Sequence, residues 1–411
     1  MGIVSVLWLF VWAGMFTDIN YVRSPRIFSD FFTFFQATRA LLPLLAIFIC
    51  AILLMAVRPR FVLGKASLSY LMLYCFIGLM ASAIASPNKT TSLYWGGLYL
   101  SPLLASWLAV SIDNPLLQIE RIIKVNFFAC LFVFLMTIPQ TLQVVRGQAP
   151  YMQFYELPFG IGQMRVNGVG RFALIMAIYA FVQFMYSRKL TKYLWGFLSF
   201  LALLTLTYTR SRTSLLGLAV AGLLFVYLQG LNIRFFFVSP IVAYILWVSG
   251  YKWRAQENFE ALLNLTGREY TWERSIEQIK KSPLFGWGFN ADRLMLDSEH
   301  VHNSYLHSTI QSGMLGGILF IIAIISIWAI VIKQKILKRV RLATGEQKKY
   351  LMISIMILGF LTSRSFFEST AAFYGVDLFI LLPAISYVYV WSQSHPLTSP
   401  GSEPVVAEAR T

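Results

Sequence analysis

The chain is organised around one stretch rich in titratable residues, which reads T-G-R-E-Y-T-W-E-R-S-I-E-Q-I-K-K-S-P-L-F-G-W-G-F-N at 266–290 and E-H-V-H-N-S-Y-L-H at 299–307. Both motifs lie in the region 251–317, which opens with a long polar segment in an otherwise apolar sequence. Three of the four histidines fall at 300–307, and seven of the 34 basic residues fall at 252–293. This concentration of titratable groups predicts that the chemistry of the protein takes place here.

Outside this stretch, the sequence has the composition of a membrane protein. The chain of 411 residues is 57% hydrophobic and only 13% charged. Apolar runs long enough to cross about 30 Å of hydrocarbon as a helix recur along its length. The alternating pattern of an outer-membrane barrel is absent. We therefore predict an all-α polytopic membrane protein.

We predict about twelve transmembrane helices, with one large loop between spans nine and ten. The predicted spans cover 2–16, 40–57, 68–86, 92–111, 122–139, 169–187, 193–209, 213–230, 234–250, 305–332, 350–366 and 373–391. The first run has no basic segment before it, so we expect a retained span rather than a cleaved signal. The three cysteines, Cys50, Cys75 and Cys130, lie in apolar runs and are expected to be core residues without disulfides.

The net charge of +16 indicates membrane anchoring and an anionic substrate rather than nucleic acid. Basic residues in the connections that follow the even-numbered spans, above all at 333–349, predict that both termini are cytoplasmic. The opposite side nevertheless carries arginines at the edges of spans, where a cation is costly unless it meets an anion. These arginines predict an anion-binding cavity on that side; they are Arg146, Arg165, Arg171, Arg210, Arg212 and Arg364.

The first motif predicts an amphipathic helix at about 267–281. Thr266 and Glu269 form a capping box, and Trp272, Ile276 and Ile279 recur at helical spacing as one apolar stripe. Pro283 ends the helix, and Gly286 and Gly288 predict a tight bend. Arg268 in the first turn is disfavoured by the helix dipole, which indicates a bound anion or a local pair with an acidic residue.

The second motif predicts a catalytic histidine. Asn303 or Ser304 is expected to cap the following helix, which places His302 at a helix N-terminus, where the dipole favours the neutral imidazole. A neutral imidazole in an arginine-lined pocket can act as a general base. H-x-H alone is weak as a metal site, so no metal is predicted. His300 fits a capping or loop residue, and His307 a packing residue within the helix; Gly313, Gly316 and Gly317 would let another helix approach closely.

Taken in order, these motifs resemble those of the O-antigen ligase and polymerase superfamily. The resemblance rests on T-R-S-R-T at 209–213, R-x-x-x-W at 268–272, P-L-F-G-W-G at 283–288 and H-V-H-N-S-Y-L at 300–306, followed by a glycine pair. It covers about 165–317, and the span count and single large loop agree with it. Gly170-Arg171 departs from the pattern, since small and polar residues are more usual there.

The resemblance implies a metal-independent, inverting glycosyltransferase of the bacterial inner membrane that needs no cofactor. Its donor would be a glycan on undecaprenyl pyrophosphate, presented at the periplasmic face. By similarity, His302 would be the catalytic histidine. The substrate-binding candidates for the pyrophosphate and glycan are Arg165, Arg210, Arg212, Arg268, Asn303 and His300. The arginine doublet leaves open whether Arg210 or Arg212 contacts the substrate.

The predicted spans divide the chain into spans one to nine (1–250), a large periplasmic loop with the catalytic motifs (251–304), spans ten to twelve (305–391) and a tail rich in Pro, Ser and Glu that is expected to be disordered and cytoplasmic (392–411). The acceptor stays open: another glycan for a polymerase, which we favour, lipid A-core for a ligase, or protein for an O-oligosaccharyltransferase. A small-anion transporter would use the outer arginines as a funnel, but it would also need ionisable groups within the spans. A membrane scaffold without catalytic activity is a third interpretation.

Overall fold

A computed structural model describes residues 2–15, 29–57, 67–146, 154–158, 163–230 and 268–396. Span nine, the start of the large loop with Thr266, and most of the predicted tail lie outside these residues. The first half of the described chain contains α1 (Ile3–Met15), α2 (Ser29–Val57), α3 (Ser67–Ile84), α4 (Lys89–Ser111), α5 (Pro115–Val145), β1 (Phe154–Glu156), β2 (Gln163–Arg165), α6 (Val166–Tyr186), α7 (Lys189–Thr209) and α8 (Arg212–Gln229). The second half contains α9 (Arg268–Lys281), α10 (Ala291–Met295), α11 (Ser304–Lys333), α12 (Ile336–Arg339), α13 (Gly345–Arg364) and α14 (Val376–Ser394).

The fold class is confirmed: this is an all-α, multi-pass membrane protein. Within the described residues, nine helices are long and apolar enough to cross a membrane, namely α2 to α8, α11 and α14. The helices α1 and α13 stand at two further predicted spans, although α1 has only 13 residues and α13 carries charge at both ends. The total of about twelve spans stays a prediction, because the ninth lies outside the described residues.

Helices α13 and α14 form the centre of the bundle. Nearly every side chain of α14 is buried, and α13 is buried from Tyr350 to Leu361. Around them pack α4, α5, α6 and α8. The short segment between α13 and α14 is thereby fixed by the core of the protein, and it carries Glu368, which reaches the candidate site.

The short first helix belongs to the core. Trp8 and Trp12 both donate their indole N–H to Oδ1 of Asn126 on α5, at 2.6 and 2.7 Å. The Asn126 amide in turn donates to the carbonyl of Phe379 on α14, at 2.7 Å. Because all of these groups are buried, one asparagine satisfies polar groups from two neighbouring helices and ties three helices together.

Helix α11 is interrupted at Gly313, which has φ of 63°. Its carbonyls at Ile310 and Gln311 accept from the N–H groups of Trp287 and Gly288, at 2.9 and 2.8 Å. The N–H groups of Met314 and Leu315 instead donate to the carbonyls of Pro283 and Leu284, at 2.7 and 3.4 Å. The P-L-F-G-W-G segment (283–288) therefore replaces two hydrogen bonds that an unbroken helix would make within itself.

Two glycines make this exchange possible. Gly313 and Gly286 both have positive φ, and a Cβ atom on either one would collide with the backbone of the other segment. The predicted bend at 286–288 is confirmed. The predicted role of Gly313 in the approach of another helix is wrong, because a loop segment lies against it instead.

Phe289 anchors the other end of this segment. Its side chain is buried between α3 and α4, with ring centroids 5.2 Å from Tyr99 and 6.0 Å from Tyr74. Its backbone N–H donates to Oγ of Ser82 at 2.9 Å, and its carbonyl accepts from Oγ of Ser92 at 2.7 Å. Together with the hydrogen bonds of 283–288 to α11, these contacts fix the loop before the histidine motif to three membrane helices.

Candidate active site

His302 lies directly before the N-terminus of α11. The side-chain oxygen of Asn303 accepts from the backbone N–H groups of Tyr305 and Leu306, both at 3.0 Å. The predicted N-cap is therefore confirmed at Asn303. His302 itself has φ of 52°, a conformation that is uncommon for a residue with a side chain and that is held here by the cap beside it.

The imidazole of His302 is held by Glu368. Its Nδ1 lies 2.8 Å from Oε2 of Glu368, and its side chain is 27% exposed. The other carboxylate oxygen accepts from Nη2 of Arg268 at 3.1 Å and from the Asn167 amide at 3.2 Å. Four segments that are distant in sequence meet at this one carboxylate.

Glu368 is ionised in this setting. Burial alone would raise its pKa, but the hydrogen bond with His302 and the charges of Arg364 and Arg268 outweigh burial and lower the pKa to about 2. A charged carboxylate accepts from the Nδ1 proton of His302, so Nε2 is the nitrogen that is left able to accept a proton. The aspartate of a serine-protease triad holds its histidine in the same way, and there the imidazole acts as a general base.

Arg268 does not need an external anion to account for its place in the first turn of α9. Besides Glu368, its guanidinium donates to the carbonyl of Phe367 at 2.6 Å. The acidic partner comes from a distant segment rather than from the same turn. The helix itself begins as predicted, and Trp272 and Ile279 pack on the apolar cluster beneath it. Ile276 is 42% exposed, so its assignment to the apolar stripe is wrong; the buried positions are Thr271 and Ser275.

A second histidine–carboxylate pair lies beside the first. Nδ1 of His300 is 2.8 Å from Oδ2 of buried Asp292, and Nε2 of His300 contacts the guanidinium of Arg293. Burial would raise the pKa of Asp292, but its interactions with His307, His300 and Arg293 hold that pKa well below its usual range. The rings of His300 and His302 are 5.9 Å apart. His300 was predicted to be a capping or loop residue, but its side chain also lies in the wall of the site beside His302.

His307 is buried one turn into α11. Its ring stacks on Phe373 with centroids 5.5 Å apart, and its Nε2 lies 2.6 Å from the amide nitrogen of Gln311. Gln311 also accepts from the hydroxyl of Tyr74 at 2.7 Å. This agrees with the predicted packing and hydrogen-bonding role.

These groups face a cavity of about 620 Å³. Its wall contains all three histidines of the motif together with Asp292 and Glu368. Four arginines line it, Arg165, Arg171, Arg293 and Arg364, and aromatic rings from α1, α4, α6 and the loops complete the wall. Arginines outnumber carboxylates in this wall, so the cavity suits an anionic ligand that also presents apolar or sugar faces.

The structure brings together only part of the predicted site. Arg165 ends β2, precedes α6 and reaches the cavity wall. Arg210 and Arg212 lie at the α7–α8 turn. Neither is among the described residues that form the cavity wall. Thr213, which follows Arg212, accepts through Oγ1 from Arg364 of the cavity wall at 3.2 Å. Asn303 uses its oxygen for the cap, and its amide donates to the Phe366 carbonyl at 3.1 Å.

Sequence reasoning missed Glu368, Asp292 and Asp377 as members of the site. The signal for Glu368 and Asp377 was present, since both are acidic residues at the ends of apolar runs, opposite unexplained arginines. For the part of the chain that the structure describes, no group of three or more His, Cys, Asp or Glu side chains could hold a metal ion. The prediction of metal independence stays a prediction.

A comparison with protein families agrees with the motifs. Residues 197–321 match the model of the family described as O-antigen ligase. The match runs from α7 through the large loop into α11 and includes Arg212, Arg268, His300 and His302. It supports the predicted resemblance to the O-antigen ligase and polymerase superfamily over these residues. No curated protein matches the chain.

Proposed function

We propose, from the O-antigen ligase segment that this chain carries, that the protein transfers a glycan from undecaprenyl pyrophosphate to an acceptor hydroxyl. The observation that carries the proposal is the 2.8 Å contact between His302 Nδ1 and Glu368 Oε2 in the wall of an arginine-lined cavity. A general base is needed to activate a hydroxyl, and fixed cations are needed where a diphosphate leaves. An anion funnel would need the fixed cations but no general base.

In the proposed reaction, Nε2 of His302 takes the proton of the acceptor hydroxyl as its oxygen attacks the anomeric carbon of the donor sugar. The bond from that carbon to the diphosphate oxygen breaks, and the diphosphate leaves with the electron pair. Glu368 stabilises the imidazolium that forms. Guanidinium groups match phosphate oxygens and keep their charge at every working pH. One such preorganised donor is worth about 3 kcal/mol of transition-state stabilisation.

Both carboxylates in the cavity wall are hydrogen-bonded to histidines, which leaves neither as a ready nucleophile. This favours direct displacement with inversion over a covalent glycosyl-enzyme intermediate. The reaction as proposed uses no metal ion and no cofactor, since the arginines carry the charge of the leaving group.

The distribution of charge supports a periplasmic site in the bacterial inner membrane. Helix α11 begins at the site and ends at Lys333, and the opposite end of the bundle holds a dense basic segment through Lys349. Basic residues between spans favour the cytoplasmic side. The site would then face the periplasm, where a lipid-linked glycan is accessible.

The acceptor divides the proposal into three cases: a growing glycan for a polymerase, which we favour, lipid A-core for a ligase, and Ser or Thr of a protein for an O-oligosaccharyltransferase. We would delete the gene in its host and compare the glycans after complementation with wild type, His302→Ala or His395→Ala. His395 is a matched control, because it stacks on Trp391 at the end of α14 away from the site.

Wild type and His395→Ala should restore the glycan, and His302→Ala should not, although it inserts and folds. Core carrying one repeat unit in the deletion strain would indicate a polymerase, and bare core with accumulated lipid-linked glycan would indicate a ligase. Normal surface glycan with unmodified glycoprotein would indicate protein transfer. An unchanged glycan profile in the deletion strain would overturn the proposal and favour anion transport.

A further inference from the structure

Two arginines in the cavity wall share a single buried carboxylate. Nη1 of Arg171 on α6 lies 3.5 Å from Oδ1 of Asp377, and Nε of Arg364 on α13 lies 3.4 Å from Oδ2 of the same side chain. The side chains of Arg364 and Asp377 are 5% and 6% exposed, and that of Arg171 is 17% exposed. In this cluster two positive charges therefore meet one negative charge in a buried setting. The charge of Arg364 also acts on Glu368, which pairs with Arg268, so three arginines face two carboxylates in all.

This cluster has unused capacity to bind an anion. The Nε atom of Arg171 is buried, and among the described residues it has no hydrogen-bond partner. The contacts to Asp377 are at the long end of the range for charged hydrogen bonds. Arg171 and Arg364 both line the cavity. A buried cation that is only partly neutralised is costly unless a ligand supplies the missing charge.

The position of the pair relative to His302 fits one part of the proposed substrate. Arg171 follows Asn167 by one turn of α6, and Arg364 precedes Glu368 by one turn, with the Glu368 N–H donating to the Arg364 carbonyl at 2.9 Å. Glu368 holds the imidazole of His302, and Asn167 donates to Glu368. On α6, four residues at a rise of 1.5 Å place Arg171 about 6 Å further along the helix than Asn167, on the membrane side. Arg364 is the last residue of α13 and comes four residues before Glu368.

A lipid-linked donor places its parts in the same order. Its chain lies in the bilayer, its sugar lies at the catalytic group, and its diphosphate lies between them. We propose that Arg171 and Arg364 form the subsite that binds the donor diphosphate, with Asp377 serving as their counter-ion until the ligand binds. The proposal rests on the proposed function and specifies which residues take the leaving group.

This assignment differs from the one that the motifs predict. The motifs direct attention to Arg210 and Arg212, neither of which is among the described residues of the cavity wall. Arg171 stands at a position where the family resemblance leads one to expect a small or polar residue. Gly170 beside it packs against Ser211, and a Cβ atom there would lie 2.8 Å from the Ser211 Cβ. The α7–α8 turn can therefore pack close to the arginine pair.

The test measures binding of farnesyl diphosphate to the purified full-length protein in lipid nanodiscs. The variants are Arg171→Gln, Asp377→Asn and, as a matched control, Arg274→Gln. Arg274 is also an ion-paired arginine, 2.8 Å from Asp297, but it is not among the described residues of the cavity wall. Thermal unfolding of each variant reports whether it folds.

Arg171→Gln should weaken binding about tenfold or more, the loss expected for one charge-assisted hydrogen bond. Asp377→Asn should bind at least as tightly as wild type, because it frees two cations for the ligand. A purely structural ion pair would instead lower the unfolding temperature in both variants and leave affinity unchanged. Arg274→Gln should bind like wild type.

The outcomes separate this proposal from the proposed function. If wild type binds and Arg171→Gln binds equally well, the subsite is wrong and the donor class stands. If wild type itself does not bind farnesyl diphosphate, the donor class is wrong and the subsite fails with it. Should Asp377→Asn fold and bind more weakly than wild type, the assignment of Asp377 as a counter-ion to a ligand site is overturned.

Discussion

The Nδ1 atom of His302 lies 2.8 Å from Oε2 of Glu368, although 66 residues separate the two side chains. The histidine comes from the segment before α11, and the glutamate comes from the segment between the two central helices of the bundle. The histidine motif is thereby fixed to the most deeply buried part of the protein.

We expect Glu368→Gln to lower the transfer rate by about 100-fold or more, within the range for loss of general base catalysis. The amide cannot balance the imidazolium charge, and it can hold the imidazole in the wrong tautomer. Rates should be measured on purified protein with a lipid-linked donor. Glu269→Gln, an exposed change on α9, is the control, and a wild-type rate in Glu368→Gln would remove this carboxylate from the mechanism.

The same residue should make stability depend on pH. The folded-state pKa of Glu368 is lowered from 4.5 to about 2, so the folded state favours the charged form. Its contribution to stability is complete above about pH 4.5 and is lost as the pH falls toward 2. The difference in unfolding temperature between wild type and Glu368→Gln should therefore shrink between pH 6 and pH 3. A difference that grows on acidification would contradict this assignment.

Gly313→Ala should be much more destabilising than Gly345→Ala. Both glycines have positive φ, at 63° and 59°, so each alanine incurs backbone strain of about 1 kcal/mol or more. The strain is larger at Gly313, because its ψ of −171° belongs to a region that is essentially restricted to glycine. A Cβ atom at Gly313 would also meet the Leu284 carbonyl, whereas at Gly345 nothing lies within 4 Å. Chemical unfolding in detergent would measure both changes, and equal losses would show that 283–288 does not pack into the break.

Asn303→Ala should cost about 0.5–2 kcal/mol of stability, the usual loss for an N-cap. It should also lower transfer, because the cap fixes the backbone on which His302 stands. Asn303→Asp keeps the capping oxygen and should recover most of the stability. If Asn303→Ala were as stable and active as wild type, the cap would not be what holds His302.

Asn126→Leu should be strongly destabilising, because it leaves two buried indole N–H groups without an acceptor, at about 1–3 kcal/mol each. The same change should cost much less in a Trp8→Phe, Trp12→Phe background, where those donors are gone. Unfolding of the four proteins forms a double-mutant cycle. Equal costs in both backgrounds would show that α1 is not held through Asn126.

Much of the fold follows from the sequence, because the length of an apolar run and the identity of a cap are local properties. The spans, the start of α9 near Arg268 and the cap at Asn303 are all encoded within a few residues. The run at 2–16 is short for a membrane span, yet one face of α1 packs in the core. Its place depends on Asn126, which no local pattern connects to Trp8 and Trp12.

The candidate site was predictable only in part, because its electrostatics depend on distant pairs. An excess of arginines on one side indicated a bound anion, but two of these cations already share Asp377, and Arg268 already meets Glu368. Spacing along the chain carries no information about such partners. The glycines at 286, 288 and 313 could be recognised in the sequence as positions with a structural role. The exchange of hydrogen bonds between 283–288 and 310–315 could not be predicted from it.

The break in α11 has a consequence for recombination between related chains. Four backbone hydrogen bonds join 283–288 to 310–315, so the P-L-F-G-W-G segment and α11 complete each other's secondary structure. A chimera that exchanges one segment without the other would leave mismatched donors and acceptors inside the bundle. The two segments should therefore be inherited and transplanted as one unit, with the histidine motif carried between them.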